Sequence, residues 1–199
     1  MKRSDPFGEF NGNAPPKSEV ILAVEKQLKC PLPKDYGDFI KGQNGGEGFL
    51  GNNSYVMLWA VEGLEPLNRG YEVESYCPEL LLFGSNGIGE AYAFDKRSAP
   101  WPVVEVPFVG MDYSLCAVIG SSFSKFIEAL SNKGFEPSGD AIKQTRINEM
   151  AGKEIFEIHP IILGGSPTDP TNKAILTREQ HIQAVAYWNR EIQKLRKQK

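Results

Sequence analysis

Residues 79–95 decide the fold class: Glu79-Leu80-Leu81-Leu82-Phe83-Gly84-Ser85-Asn86-Gly87-Ile88-Gly89-Glu90-Ala91-Tyr92-Ala93-Phe94-Asp95. Glu79–Phe83 and Glu90–Asp95 are apolar runs of strand length, and Gly84-Ser85-Asn86-Gly87 between them has the composition of a tight turn. Two such runs joined by glycine and asparagine predict a β-hairpin, because these residues accept the left-handed backbone of hairpin turns. Glu90 and Asp95 are oddly spaced on the second strand. Alternation sends their side chains to opposite sides of the sheet, away from a shared catalytic site.

Further strands are predicted on either side, at Tyr55–Trp59, Val103–Val109 and Ser114–Ile119. Pro107 has no amide donor, which points to an edge position for its strand. Val20, Ile21, Val24 and Leu28 form one face of a helix that starts near Ser18 and stops before Pro31. Tyr36, Phe39 and Ile40 mark a short second helix entered at Pro33 and closed by Asn44-Gly45-Gly46. Residues 61–76 read as a helix or a long connection. Ser121 and Ser122 can cap a helix whose face is Phe123, Phe126, Ile127 and Leu130.

Two helices, about five strands and a helix, joined by short connections, predict an α+β fold. Its sheet is largely antiparallel, with about five to six strands and the helices packed on one side. Residues 1–16 hold Gly8, Gly12, Pro15 and Pro16 without periodicity and read as a flexible arm. Residues 17–133 form the main domain. Residues 134–199 read as a linker, with a short helix around 140–150, and a C-terminal appendage. The appendage ends in a helix from Thr177 whose face is Ile182, Val185, Ala186, Trp188, Ile192 and Leu195.

Composition narrows the function. Of 199 residues, 41% are apolar, enough for a core. Lysine and arginine total 22 against 25 acidic residues, a net charge of −3. The basic excess that duplex nucleic acid demands is missing, so nucleic acid is not expected as a partner. Cys30, Cys77 and Cys116 are widely spaced and form no C-x-x-C pair, which suits a reducing compartment and neither a zinc nor a redox site. Met1-Lys2-Arg3-Ser4 is not followed by the apolar run of a signal peptide, and no stretch approaches the ~18 apolar residues of a membrane span. A cytoplasmic protein is expected. G-x-S-x-G, P-loop and H-E-x-x-H signatures are absent. The expectation is a protein without catalytic residues, metal or cofactor.

Several pieces follow one another in order over residues 18–130: the Ser18–Leu28 helix, Leu32-Pro33-Lys34-Asp35-Tyr36-Gly37-Asp38-Phe39, Asn44-Gly45-Gly46, Leu58-Trp59, Asn68 with Tyr71, Phe83-Gly84-Ser85-Asn86-Gly87, Glu90-Ala91-Tyr92-Ala93-Phe94-Asp95, and Ser122-Phe123-Ser124-Lys125-Phe126. Together they resemble the SUKH superfamily, also called the Smi/Knr family, which groups fungal glucan-synthesis regulators with bacterial immunity proteins of toxin systems. The resemblance implies an α+β sheet fold and a non-catalytic role in binding partner proteins, often toxins. Most of the matched positions are apolar or glycine and read as fold, not site.

Residues 54–95 hold Glu62, Glu65, Glu72, Glu74, Glu79, Glu90 and Asp95 against Arg69 alone. An acidic face speeds capture of a basic partner. Glu62, Glu65, Glu72, Glu74, Glu90 and Asp95 are therefore candidate binding residues, and a basic toxin is the candidate partner. The alternative is a solvated acidic surface that serves solubility.

The tail carries a second resemblance. Ile158-His159-Pro160, Gly164-Gly165, Asp169, Asn172 and His181 are similar to the end of an HNH-nuclease motif. That likeness implies His159 as base, Asn172 as orienting residue and His181 as metal ligand. The position before the base, normally a metal-binding histidine or aspartate, is Ile158, and no cysteine pair braces the loop. The stretch reads as a relic. A metal-dependent nuclease is the alternative function, and a structural or scaffold protein the third.

Overall fold

The structure, a computed structural model, describes residue 7 and residues 9–51, 54–132 and 151–198. Among them, β1 (Glu9–Gly12), β2 (Gly46–Leu50), β3 (Ser54–Leu58), β4 (Leu80–Ser85), β5 (Glu90–Asp95), β6 (Val103–Pro107) and β7 (Ala117–Gly120) form one sheet in chain order, each strand antiparallel to the next. The fold is α+β, as expected, with a sheet larger than five to six strands. The hairpin at residues 79–95 is β4–β5. Its first strand runs on to Ser85, and the turn follows it. The register slips between Leu82, opposite Ala93, and Gly84, opposite Tyr92, so Phe83 is a β-bulge. A Cβ on Gly84 would lie 2.6 Å from the Met57 carbonyl oxygen, so the close approach of β3 requires glycine there.

Three expectations need correction. Residues 9–12, inside the stretch read as a flexible arm, pair with β2 as an edge strand. Phe7 stacks on Phe39 at 5.5 Å and meets Phe10 edge-on at 5.4 Å, which ties the segment down. β2 itself, Gly46-Glu47-Gly48-Phe49-Leu50, begins on Gly46, one of the residues read as a helix end. β6 is not an edge strand, since β5 and β7 flank it. β7 pairs only with Val103–Glu105, so Pro107, the last residue of β6, is not asked for a bond to it.

The helices are α1 (Ser18–Leu28), α2 (Lys34–Gly42), α3 (Leu64–Gly70), α4 (Val73–Tyr76), α5 (Phe123–Ser131) and α6 (Arg178–Lys197). Residues 61–76 therefore contain a 3-10 turn at Val61–Gly63 followed by α3 and α4, which are separated by the left-handed Glu72 (φ 56°). Ser122 caps α5 by accepting from the Lys125 amide at 3.3 Å. Thr177 and Gln180 form a reciprocal capping box at the start of α6.

Both faces of the sheet are covered. On one, the fully buried Tyr36 of α2 packs on Phe83, Phe94 and Phe123 at 5.5, 5.1 and 5.0 Å, and Tyr92 packs on Phe126 of α5 at 4.8 Å. Ser85 is the cross-strand partner of Ala91, which alternates away from Tyr92 to the opposite face. There Ser85 meets Glu154 of a C-terminal hairpin, β8 (Lys153–Glu157) with β9 (Lys173–Thr177), which leads into α6. Phe156 of β8 and Val185 of α6 belong to the same buried cluster as the sheet. The C-terminal segment thus closes the second face, and the sheet is a middle layer, not a sheet with helices on one side. The helix expected around 140–150 lies outside the described residues. Among the described residues, no helix is long and apolar enough to cross a membrane.

Candidate functional site

The candidate acidic residues separate into different neighbourhoods. Glu65, Glu72 and Glu74 line a groove of about 680 Å³ between α1, α3, α4 and α6, together with Lys29, Arg69, Lys96 and Arg190. Arg69 pairs with Glu65 at 3.1 Å. Arg190 grips Glu72 through Nη2 and through Nε at 3.2 Å, and the Tyr76 hydroxyl donates to the same carboxylate. The Arg190 guanidinium holds the Glu72 carboxyl below the usual carboxylate range. This groove has mixed charge. Arg69 comes from α3 itself, Lys96 directly follows β5, and Lys29 and Arg190 come from the end of α1 and from α6.

Glu62 accepts from Asn44 Nδ2 at 2.8 Å, while Asn44 Oδ1 accepts from the Val61 amide at 2.8 Å. Asp95 is buried and clamped by Arg97 through Nε at 2.9 Å and Nη2 at 2.7 Å, which lowers its carboxyl. Both are committed to local structure.

Glu90 has a different setting. It lies in a second groove of about 340 Å³ at the junction of the β4–β5 turn, the chain after β6, and the C-terminal hairpin. Ile88, Leu115, Ile161 and Ile162 line this groove and remain 44%, 43%, 52% and 45% exposed. Tyr92 pairs across the sheet with Glu105, so Glu90 and Glu105 stand on the same sheet face of adjacent strands. Burial and the nearby Glu105 and Glu157 carboxylates push Glu90 up to about 7. Lys173 pairs with Glu157 at 2.5 Å. Among the described residues no cation pairs with Glu90.

The nuclease-like residues also part company. The His159 amide donates to Asn172 Oδ1 at 2.7 Å, and Asn172 Nδ2 donates to the His159 and Ser166 carbonyls, each at 3.0 Å. Asn172 therefore pins an exposed loop against His159. His181 lies instead in the core, 1% exposed, with Nδ1 2.9 Å from the Tyr71 hydroxyl. Tyr71, Phe108 and Phe156 surround its ring edgewise at 5.7, 4.9 and 5.7 Å. Burial, helped by the Arg178 charge, pushes His181 down to about 3, so the ring is neutral. Among the described residues, no three histidines, cysteines or carboxylates are grouped to hold a metal. The cysteines are free, and burial pushes the Cys77 thiol up to about 12, away from the thiolate a nucleophile needs.

Sequence reasoning missed the seam that attaches the C-terminal unit. Glu154 is fully buried; its two oxygens accept from Ser85 Oγ at 2.9 and 3.1 Å, and Arg178 Nη2 lies 3.5 Å away. Asn189 accepts from the Gly110 amide at 2.6 Å and donates to the Phe108 carbonyl at 2.9 Å. The signal for His181 and Asn189 was present: they share a face of α6 with Val185 and Ile192 at spacings of four, four and three.

None of the curated proteins matches the chain. The model of the SMI1/KNR4 family (SUKH-1) matches residues 15–129, from just before α1 into α5, and leaves β1 and the C-terminal hairpin with α6 outside. The chain belongs to the SMI1/KNR4 family (SUKH-1).

Proposed function

We propose that this chain is a non-catalytic protein-binding module of the cytoplasm: an immunity protein that neutralises a toxin partner by steric binding, or a regulator of the same kind. Family membership over residues 15–129 carries the reading. The state of the reactive groups supports it. His181 is neutral and enclosed, Glu65, Glu72 and Asp95 are paired with arginines, and the cysteine thiols are raised by burial. A nuclease would need His181 at a metal, and a ring enclosed in the core with Nδ1 bonded to Tyr71 is poorly placed for that. The net charge of −3 favours a basic partner.

Affinity capture of the full chain from cells that also express the product of the adjacent gene tests the reading. A stoichiometric complex is expected. Failure to capture it, together with metal-dependent cleavage of plasmid DNA that is lost in His159→Ala, would replace it with the nuclease.

A further inference from the structure

We propose that the groove beside Glu90 is the docking site for a partner-protein segment that inserts a lysine or arginine flanked by aliphatic side chains. The proposal rests on the binding-module reading and adds where the partner binds and with what chemistry. Two independent features of the groove define its occupant. Its rim is apolar, with Ile88, Leu115, Ile161 and Ile162 all substantially exposed. Glu90 and Glu157 are among its lining residues, and the charges of Glu105 and Glu157 both act on Glu90. Lys173 answers Glu157 and leaves Glu90 without a pairing cation among the described residues.

Aliphatic walls suit the methylene stem of a lysine or arginine, whose charged head then reaches the carboxylates. Glu90 is already held in a partly desolvated setting by the fold, between like charges. An entering cation therefore gains an attraction without first stripping the carboxylate of its full hydration shell. The larger mixed-charge groove offers no such imbalance, because Arg69 and Arg190 already occupy Glu65 and Glu72. The C-terminal hairpin supplies Phe156 and Glu157, and the chain after it Ile161 and Ile162. All four lie outside residues 15–129, so the site is particular to chains that carry this C-terminal unit.

The test is a titration of the isotope-labelled full chain with a short, end-blocked aliphatic peptide bearing one central arginine, followed by amide resonances. Saturable shifts at Gly89, Leu115 and Ile161 are expected. Affinity should drop about tenfold when citrulline replaces the arginine, and by a similar factor in Glu90→Gln, because one charge-assisted contact is lost. Ile161→Ser, at an exposed position, should weaken binding without disturbing the fold. Equal affinity for the citrulline peptide, or shifts centred on Glu65 and Glu72, would overturn the proposal. So would concentration-dependent dimerisation that protects this groove, which would assign it to a second copy of the chain. The two readings fail separately. If the adjacent gene product is captured equally well by Glu90→Lys, the groove is wrong and the binding module stands. If the peptide binds as described and no protein partner is found, the groove stands and the immunity reading falls.

Discussion

The hydroxyl of Tyr71 lies 2.9 Å from Nδ1 of His181, across 110 residues of chain, and both groups are buried. This contact joins the family domain to the C-terminal helix. Tyr71→Phe leaves the ring nitrogen without its partner in a dry site, which costs about 1–3 kcal/mol of folding stability. His181→Ala also opens a cavity among aromatic rings, and a loss of about 3 kcal/mol is expected. Urea unfolding of the two single variants and the double variant should show the losses to be non-additive, since both remove the same contact.

His181 also sets an acid limb. Its folded value of about 3 lies below the ordinary 6.5, so an unfolded chain takes up a proton that the folded chain refuses. Its contribution is complete above pH 6.5 and is lost as pH falls towards 3, at no more than about 1.4 kcal/mol per pH unit. Melting temperatures measured across this range should fall more steeply for the natural protein than for His181→Phe. Parallel curves would mean that the ring titrates normally in the fold.

Glu90 acts in the opposite sense. Its folded value is raised to about 7 from 4.5, so its contribution is complete below 4.5 and is lost as pH rises through 7. Glu90→Gln should match the natural protein in acid and be more stable than it above pH 7. A variant less stable at pH 8 would show that the carboxylate has a stabilising partner.

At the seam, Arg178 supports Glu154. The carboxylate is fully buried, and burial raises its pKa despite the arginine and the Ser85 hydroxyl. Arg178→Ala removes the nearest cation and should cost about 3–5 kcal/mol, as for other broken buried pairs. Adding Glu154→Gln should recover part of this, since an amide needs no counter-charge. Recovery is read from the urea midpoint. No recovery would assign the role of Arg178 to its stacking over Trp59, at 5.4 Å from the ring centroid.

The hairpin at 79–95 and the helices with clear apolar stripes were legible because each is specified locally. Tyr55–Trp59 and Leu80–Phe83 also carried more information than alternation alone extracts. They are unbroken apolar runs, as expected of strands buried on both faces, and β3 and β4 are buried throughout. β1 and β2 were not legible. Glu9–Gly12 becomes a strand only by pairing with β2, and β2 contains Gly46 and Gly48, which weaken any strand signal. The acidic stretch misled for a related reason. A charge count over residues 54–95 leaves out Lys96, which follows directly, and Lys29 and Arg190, which folding brings beside Glu65, Glu72 and Glu74. Among the described residues Glu90 has no pairing cation, and the groove around it is built partly from residues 156–162, which no reading of residues 54–95 could supply.

The most direct measurement is light scattering, after size exclusion, on the full chain co-expressed with the product of its adjacent gene. The account predicts one peak whose mass is the sum of the two chains in a fixed ratio, formed by the natural protein and by Tyr71→Phe if that variant remains folded. Two separate peaks at micromolar concentration, with the chain alone processing a nucleic acid or small-molecule substrate, would contradict it.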